Sequence, residues 1–273
     1  MTNSLLLFLA LALVRAQKPT PLAILPLGDS ITYGCGDNCS SVCTAALPCS
    51  DCLRNRSGYT PCAPCSSGYR LALWRTLSDA GRYAPEMVGP LSQGPAGAPA
   101  GALSHAGWPG IRISGESSAN HTTGLVQVAA QWAPFAARAH AVLLHIGTND
   151  VLQNGYTSAD AAARDMGGQL AALLAAIRAA APKARVYVAS VISLAPTPAF
   201  RALNAQLVAF NAAIPFIVEG FVAGGGNAVF VDMARSSPTC STEDSCCPGG
   251  IHPTVLGYEA IASVWAEALV ALQ

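Results

Sequence analysis

Short apolar runs alternate with amphipathic helical stripes along this chain from Leu22 almost to its C terminus. The runs at 22–27, 141–146, 185–192 and 228–231 are apolar almost throughout. Strands with no wet face belong inside a parallel sheet covered on both sides by helices. Between the runs, Leu73, Leu77 and Ala80 mark a helix over 69–80, with Gly81 as its stop. Met166, Leu170, Leu173, Leu174 and Ile177 form a second stripe at helical spacing. Phe200, Leu203, Leu207, Phe210 and Ile214 form a third, which Pro215 should kink or split. Residues 125–137 read as a helix bent at Pro134, and Ile261, Val264, Trp265, Ala268, Leu269 and Leu272 share one face of a terminal helix. Residues 87–89 suit a brief strand, while 90–110, rich in Gly, Pro and Ala, read as a loop. The expected architecture is a three-layer α/β domain.

Composition narrows the function. The 273 residues are 52% hydrophobic and 11% charged, with 15 basic against 15 acidic side chains. A chain with no basic excess has little with which to displace counterions from a phosphate backbone, so nucleic acid is not an expected partner. Nor is an integral membrane segment expected in the mature chain, because no run of about 18 apolar residues occurs beyond the N terminus. Leu5 to Val14 is an apolar run followed by Arg15-Ala16 and the polar Gln17-Lys18. It is too short to span a bilayer and ends on a small residue, the pattern of a cleaved leader. Residues 1–16 are therefore read as a signal peptide, 17–273 as the folded domain, and the protein as secreted.

Cysteine usage agrees with export. Cys35, Cys39, Cys43, Cys49, Cys52, Cys62 and Cys65 form one cluster, and Cys240, Cys246 and Cys247 a second. Ten cysteines behind a leader imply disulfides. Seven is odd, so full oxidation within the chain requires at least one bridge from the first cluster to the 240–247 loop. Zinc is the alternative, since Cys49/Cys52 and Cys62/Cys65 have C-x-x-C spacing. Residues 35–67 have no strand or helix period and read as a disulfide-stapled insertion in the first strand–helix unit. Asn38, Asn55 and Asn120 each open an N-x-[ST] sequon, relevant to a secretory pathway that glycosylates asparagine.

Three polar groups follow apolar runs or precede a helix. Ser30, in Gly28-Asp29-Ser30, ends the first run, where a serine can present its hydroxyl to a crevice or simply cap a turn. Asn149, in Gly147-Thr148-Asn149-Asp150, ends another, where it can point an amide into the crevice or close an Asx-turn. His252-Pro253 comes just before the terminal helix, with Pro253 suited to its first turn.

Taken together, these three groups resemble the SGNH (GDSL-type) hydrolases, whose second motif, a loop glycine, is similar to Gly107-Trp108-Pro109-Gly110. Gly68-Tyr69-Arg70, Leu143 to Asp150, Phe210-Asn211-Ala212-Ala213-Ile214-Pro215 and Val231-Asp232-Met233 further resemble carbohydrate esterase family 3. The resemblance implies a flavodoxin-like α/β/α sandwich with a five-stranded parallel sheet in the order 2-1-3-4-5. It implies that Ser30 attacks an ester carbonyl while His252 takes and later returns the proton. The oxyanion hole would comprise the Ser30 and Gly110 backbone N–H groups and the Asn149 amide, each worth about 3 kcal/mol in the transition state. Glycine at 110 is expected so that the backbone can approach the ester closely. Asp29 and Asp150 are expected to hold their loops. No metal or cofactor is implied, the substrate is an acetylated carbohydrate such as acetyl-xylan, and a monomer is expected.

One position departs from the family pattern. An aspartate normally stands three residues before the histidine and fixes the imidazole; here it is Gly249. A backbone carbonyl could orient His252, Glu243 or Asp244 could substitute, or activity could be largely lost. A disulfide staple on the 240–250 loop is one way to hold the histidine without that acid. The alternative functions are a lipid or aryl esterase on the same site, or a weakened secreted carbohydrate-binding protein on this scaffold.

Overall fold

The computed structural model describes residues 18–36, 62, 65–236 and 250–271. The leader, most of the 35–67 insertion with Asn38 and Asn55, and the loop bearing Glu243, Asp244, Gly249 and its three cysteines lie outside the described residues.

Seven strands form one sheet: β1 (Thr20–Gly28), β2 (Tyr83–Met87), β3 (Leu91–Ser92), β4 (Ser104–Gly107), β5 (Ala141–His145), β6 (Arg185–Ala189) and β7 (Ala228–Val231). Ile24 of β1 pairs with Met87 on one side and Ala141 on the other, and Leu27 pairs with Ala106 and Leu144. Thus β2 and β4 lie end to end along one edge of β1, and β5, β6 and β7 extend the sheet on the other. All these pairings are parallel, giving the expected five-position order with the edge position beside β1 divided between two short strands. The sequence reading merged β3 and β4 into a loop. β3 pairs antiparallel with β4 through two residues, and β4 contains only Ser104-His105-Ala106-Gly107, too short and polar to show an apolar run.

Side chains alternate across the central strands as strand geometry requires. Leu25, Val142 and Val186 lie in register and face one helical layer, as do Leu27, Leu144 and Val188. That layer comprises α3 (Ala129–Ala136), α5 (Ala159–Ala180) and α6 (Arg201–Ala223). Ile24, Ala141, Leu143, Tyr187 and Val231 face the opposite layer, formed by α2 (Tyr69–Asp79) and α8 (Val255–Val270). Three short helices, α1 (Ser30–Tyr33), α4 (Thr148–Gln153) and α7 (Met233–Ser236), follow β1, β5 and β7.

The stripes on α2, α5, α6 and α8 bury most of their leucine, isoleucine and aromatic positions, Phe200 and Leu203 being half-buried and Leu272 lying outside the described residues. The strand expected over 87–89 is β2, which ends at Met87, and three helix features also differ from the sequence reading. The helix expected from 125 starts at Ala129, because Leu125 N–H donates to Arg112 O and holds this end as a turn. Pro215 does not split α6, which runs through it unbroken. Pro253 precedes the last helix rather than entering it, because Thr254 Oγ1 accepts from Gly257 N–H and takes the cap. With the 3₁₀ turn before it, α6 gives a 26-residue helix (Pro198–Ala223) that is long and apolar enough to cross a membrane by length and composition alone. In this fold Leu207, Phe210, Ile214 and Val218 bury against the core.

Candidate active site

The chain leaves β1, β4 and β5 at the same edge of the sheet, and Ser30, Gly110 and Asn149 lie in the connections that follow. Asp29 Oδ1 accepts Ile31 N–H at 2.9 Å, starting α1 and placing the buried Ser30 at its first position. His252, 222 residues away in sequence, brings Nε2 to 2.9 Å from Ser30 Oγ. A serine hydroxyl in contact with an imidazole has the means to lose its proton as it attacks an electrophile.

The connection after β4 is tied to β1 by Trp108 N–H donating to Gly28 O at 3.2 Å. His105 directs it: Nδ1 accepts Gly107 N–H at 3.0 Å, so the proton resides on Nε2, 2.6 Å from Gln93 Oε1. Burial holds this imidazole well below its ordinary pKa, consistent with that neutral tautomer. Gly110 has φ +82°, and its carbonyl accepts from Thr122 Oγ1 and from Gln153 Nε2, the latter at 2.7 Å. A Cβ at 110 would meet Thr122 Cγ2 at 3.0 Å. The glycine is therefore required by backbone conformation and by Thr122, a different reason from the open approach to an ester that the sequence reading supposed.

Asn149 Nδ2 donates to Ile111 O at 3.0 Å, joining the β4 and β5 connections and leaving one amide hydrogen uncommitted. Ser30 N–H and Gly110 N–H have no acceptor among the described residues. Such donors suit an oxygen that acquires negative charge during reaction.

Two carboxyls sit beneath these loops. Asp29 is fully buried, and burial raises it to about 7 despite the Ile31 N–H. Asp150 accepts Ile113 N–H with both oxygens, at 3.2 and 3.1 Å, and burial raises it to about 8. A carboxyl whose folded pKa exceeds its unfolded value stabilises the fold below the unfolded pKa, and that stability is lost as pH rises through the folded pKa. Thermal stability is accordingly expected to decline from about pH 4 to pH 8. Asp150→Asn should flatten the upper part of this decline in melting curves across that range, and a slope identical to wild type would exclude Asp150 as its source.

His252 is half-buried, and desolvation pushes its pKa down to about 4. Cys35 is disulfide-bonded to Cys62, and Cys65 is also disulfide-bonded, so the Cys62/Cys65 half of the zinc-like spacing offers no thiolate pair. The Cys35–Cys62 bridge leaves five cysteines in the first cluster, still an odd number.

Sequence reasoning passed over the residues that hold the loops. Arg70 entered only as part of a family resemblance, and Gln93, His105, Thr122, Gln153 and Asn204 were not singled out. Apart from the exposed Thr122, their common signal is a polar side chain on a buried or half-buried face, which becomes informative only once its hydrogen-bond partner is known.

The GDSL-like lipase/acylhydrolase family model matches residues 27–260. No curated protein sequence matches the chain. Among solved structures, a Clostridium thermocellum family 3 carbohydrate esterase is 24% identical at a TM-score of 0.61, covering 91% of this chain and 94% of its own. A Talaromyces cellulolyticus carbohydrate esterase of family 3 is 23% identical at 0.61, covering 92% and 97%. The M. smegmatis aryl esterase is 16% identical at 0.59, covering 92% and 100%. At these identities the structural likeness establishes the fold. The family match over most of the chain, with the fold it accompanies, makes this protein a member of the GDSL-like lipase/acylhydrolase family and a carboxylic ester hydrolase.

Proposed function

We propose that this protein is a secreted serine esterase that removes acetyl groups from carbohydrate, with plant cell-wall polysaccharide such as acetylated xylan as its substrate class. The 2.9 Å contact between Ser30 Oγ and His252 Nε2 carries the reading. Ser30 Oγ attacks the ester carbon as its proton passes to His252 Nε2. The carbonyl oxygen becomes an oxyanion facing Ser30 N–H, Gly110 N–H and the Asn149 amide. Collapse expels the sugar alcohol, which takes the proton from His252 and leaves an acetyl ester on Ser30. Water activated by His252 then releases acetate and restores the serine. With Gly249 in place of the usual acid, a backbone carbonyl, Glu243 or Asp244 orients the imidazole. The structural neighbours described as family 3 carbohydrate esterases support the choice of substrate class.

Purified protein should release acetate from acetyl-xylan faster than it hydrolyses long-chain or aryl esters, and Ser30→Ala should abolish both. Preference for the aryl ester would favour the lipid- or aryl-esterase alternative. Equal rates for the two proteins would remove the serine-esterase reading and favour a carbohydrate-binding role.

A further inference from the structure

β6 leaves its ladder at Ala189, but its continuation still carries peptide groups that need partners. Two asparagines of α6 supply them. Asn211 Oδ1 accepts Val191 N–H at 2.7 Å while its Nδ2 donates to Val191 O at 2.8 Å. Asn204 treats Leu194 the same way, at 2.9 and 3.1 Å. Each side-chain amide thus replaces the peptide of an absent neighbouring strand. Their spacing of seven residues is about two helical turns, which puts both on one face of α6.

The next residue passes this constraint across the site. Ala195 N–H donates to Gly250 O at 2.8 Å, two residues before His252. Gly250 has φ +67°, and a Cβ there would come within 2.7 Å of Ala195 Cβ and 2.9 Å of the Phe200 ring. The backbone on this side of His252 is therefore seated directly on the segment that Asn204 clamps.

We propose that Asn204 is a positioning residue that sets His252 Nε2 against Ser30 Oγ through Leu194, Ala195 and Gly250. The proposal rests on the Ser30–His252 reading of the site, since a misplacement of about 1 Å between reacting groups can cost on the order of 100-fold in rate. Asn204→Ala should lower kcat about tenfold or more, with KM within about twofold of wild type. Asn211→Ala removes the same two kinds of hydrogen bond at Val191, three residues further along the chain from the Ala195–Gly250 contact, so it should cost comparable stability and change kcat less than about twofold. Gly250→Ala acts on the same link, and its effect combined with Asn204→Ala should be less than additive.

A crystal structure of Asn204→Ala should show the Ser30 Oγ–His252 Nε2 separation lengthened from 2.9 Å. An unchanged separation overturns the proposal whatever the activity. Equal kcat losses for Asn204→Ala and Asn211→Ala overturn it as well, since they would indicate general loosening. Retention of wild-type acetate release by Ser30→Ala would instead defeat the serine-esterase reading, with the measured separation still deciding whether Asn204 positions the imidazole.

Discussion

Replacing His252 with alanine should lower turnover by about 10⁵-fold, within the range seen when a hydrolase loses its base, while shifting the melting temperature by no more than about 3 °C. A serine hydroxyl is a poor nucleophile unless a base takes its proton, and His252 Nε2, at 2.9 Å, is in reach. The residual rate would come from binding and from the Ser30, Gly110 and Asn149 donors, which typically leave about 10³-fold or more over the uncatalysed reaction. The same contact fixes a pH dependence. His252 acts as a base only when neutral, and burial pushes its pKa down to about 4. The kcat/KM of wild type should therefore hold from neutrality to about pH 5 and fall only as pH approaches 4. Retention of more than about one hundredth of wild-type turnover by His252→Ala, the least a general base usually contributes, would sink the assignment. An acid limb centred near 6.5 would show the imidazole to be solvated during reaction.

The layers of this fold were legible because burial on both faces leaves little freedom in sequence. Val142 and Leu144 must face one helical layer, and Ala141 and Leu143 the other, so the strand shows as an unbroken apolar run. The buried α5 stripe from Met166 to Ile177 is equally plain. β4 escaped notice because its role is local: Gly107 abuts β1, and His105 spends one ring nitrogen on Gln93 and the other on Gly107 at the end of its own strand. Pro215 does not split its helix because a proline removes one helical hydrogen bond, a local cost that burial of Ile214 and Val218 on the same helix helps to offset. At the candidate site, Ser30, Gly110, Asn149 and His252 were named from their motifs, but the packing against Gly110 was not legible there. Thr122 fills the space a side chain would need, and it is held near Gly110 by the Arg112–Gly124 bridge and by Gln153, which bonds both residues. Linear spacing carries no trace of such an encounter.

Replacing Arg70 with methionine should cost about 4 kcal/mol of stability, or on the order of 10 °C in melting temperature for a chain of this size. Arg70 is fully buried, so its guanidinium must be satisfied by the protein. It donates through Nη2 to Tyr33 O at 2.9 Å and Ser66 O at 3.2 Å, and through Nη1 to Leu103 O and to Gln93 O at 3.2 Å. Methionine fills a similar volume but leaves four carbonyls without this donor. Arg70→Lys should recover less than half of the loss, because one ammonium cannot reproduce a planar fork bonded on two sides. The consequence extends beyond stability. Tyr33 and Ser66 flank the cysteine-rich insertion, which also begins at the Cys35–Cys62 bridge and a hydrogen bond from Tyr258 to Cys35 O. Gln93 reaches back to Tyr33 O and forward to His105, which holds Gly107 N–H at the start of the Gly110 loop. One arginine thus fixes the roots of the insertion and the loop that carries Gly110 in a common frame. Below its melting temperature, Arg70→Met should also lose turnover on acetyl-xylan, and calorimetry under non-reducing conditions separates that loss from unfolding. A variant within about 1 kcal/mol of wild type would show that the four carbonyls find other partners, since each buried unsatisfied group should by itself cost about that much.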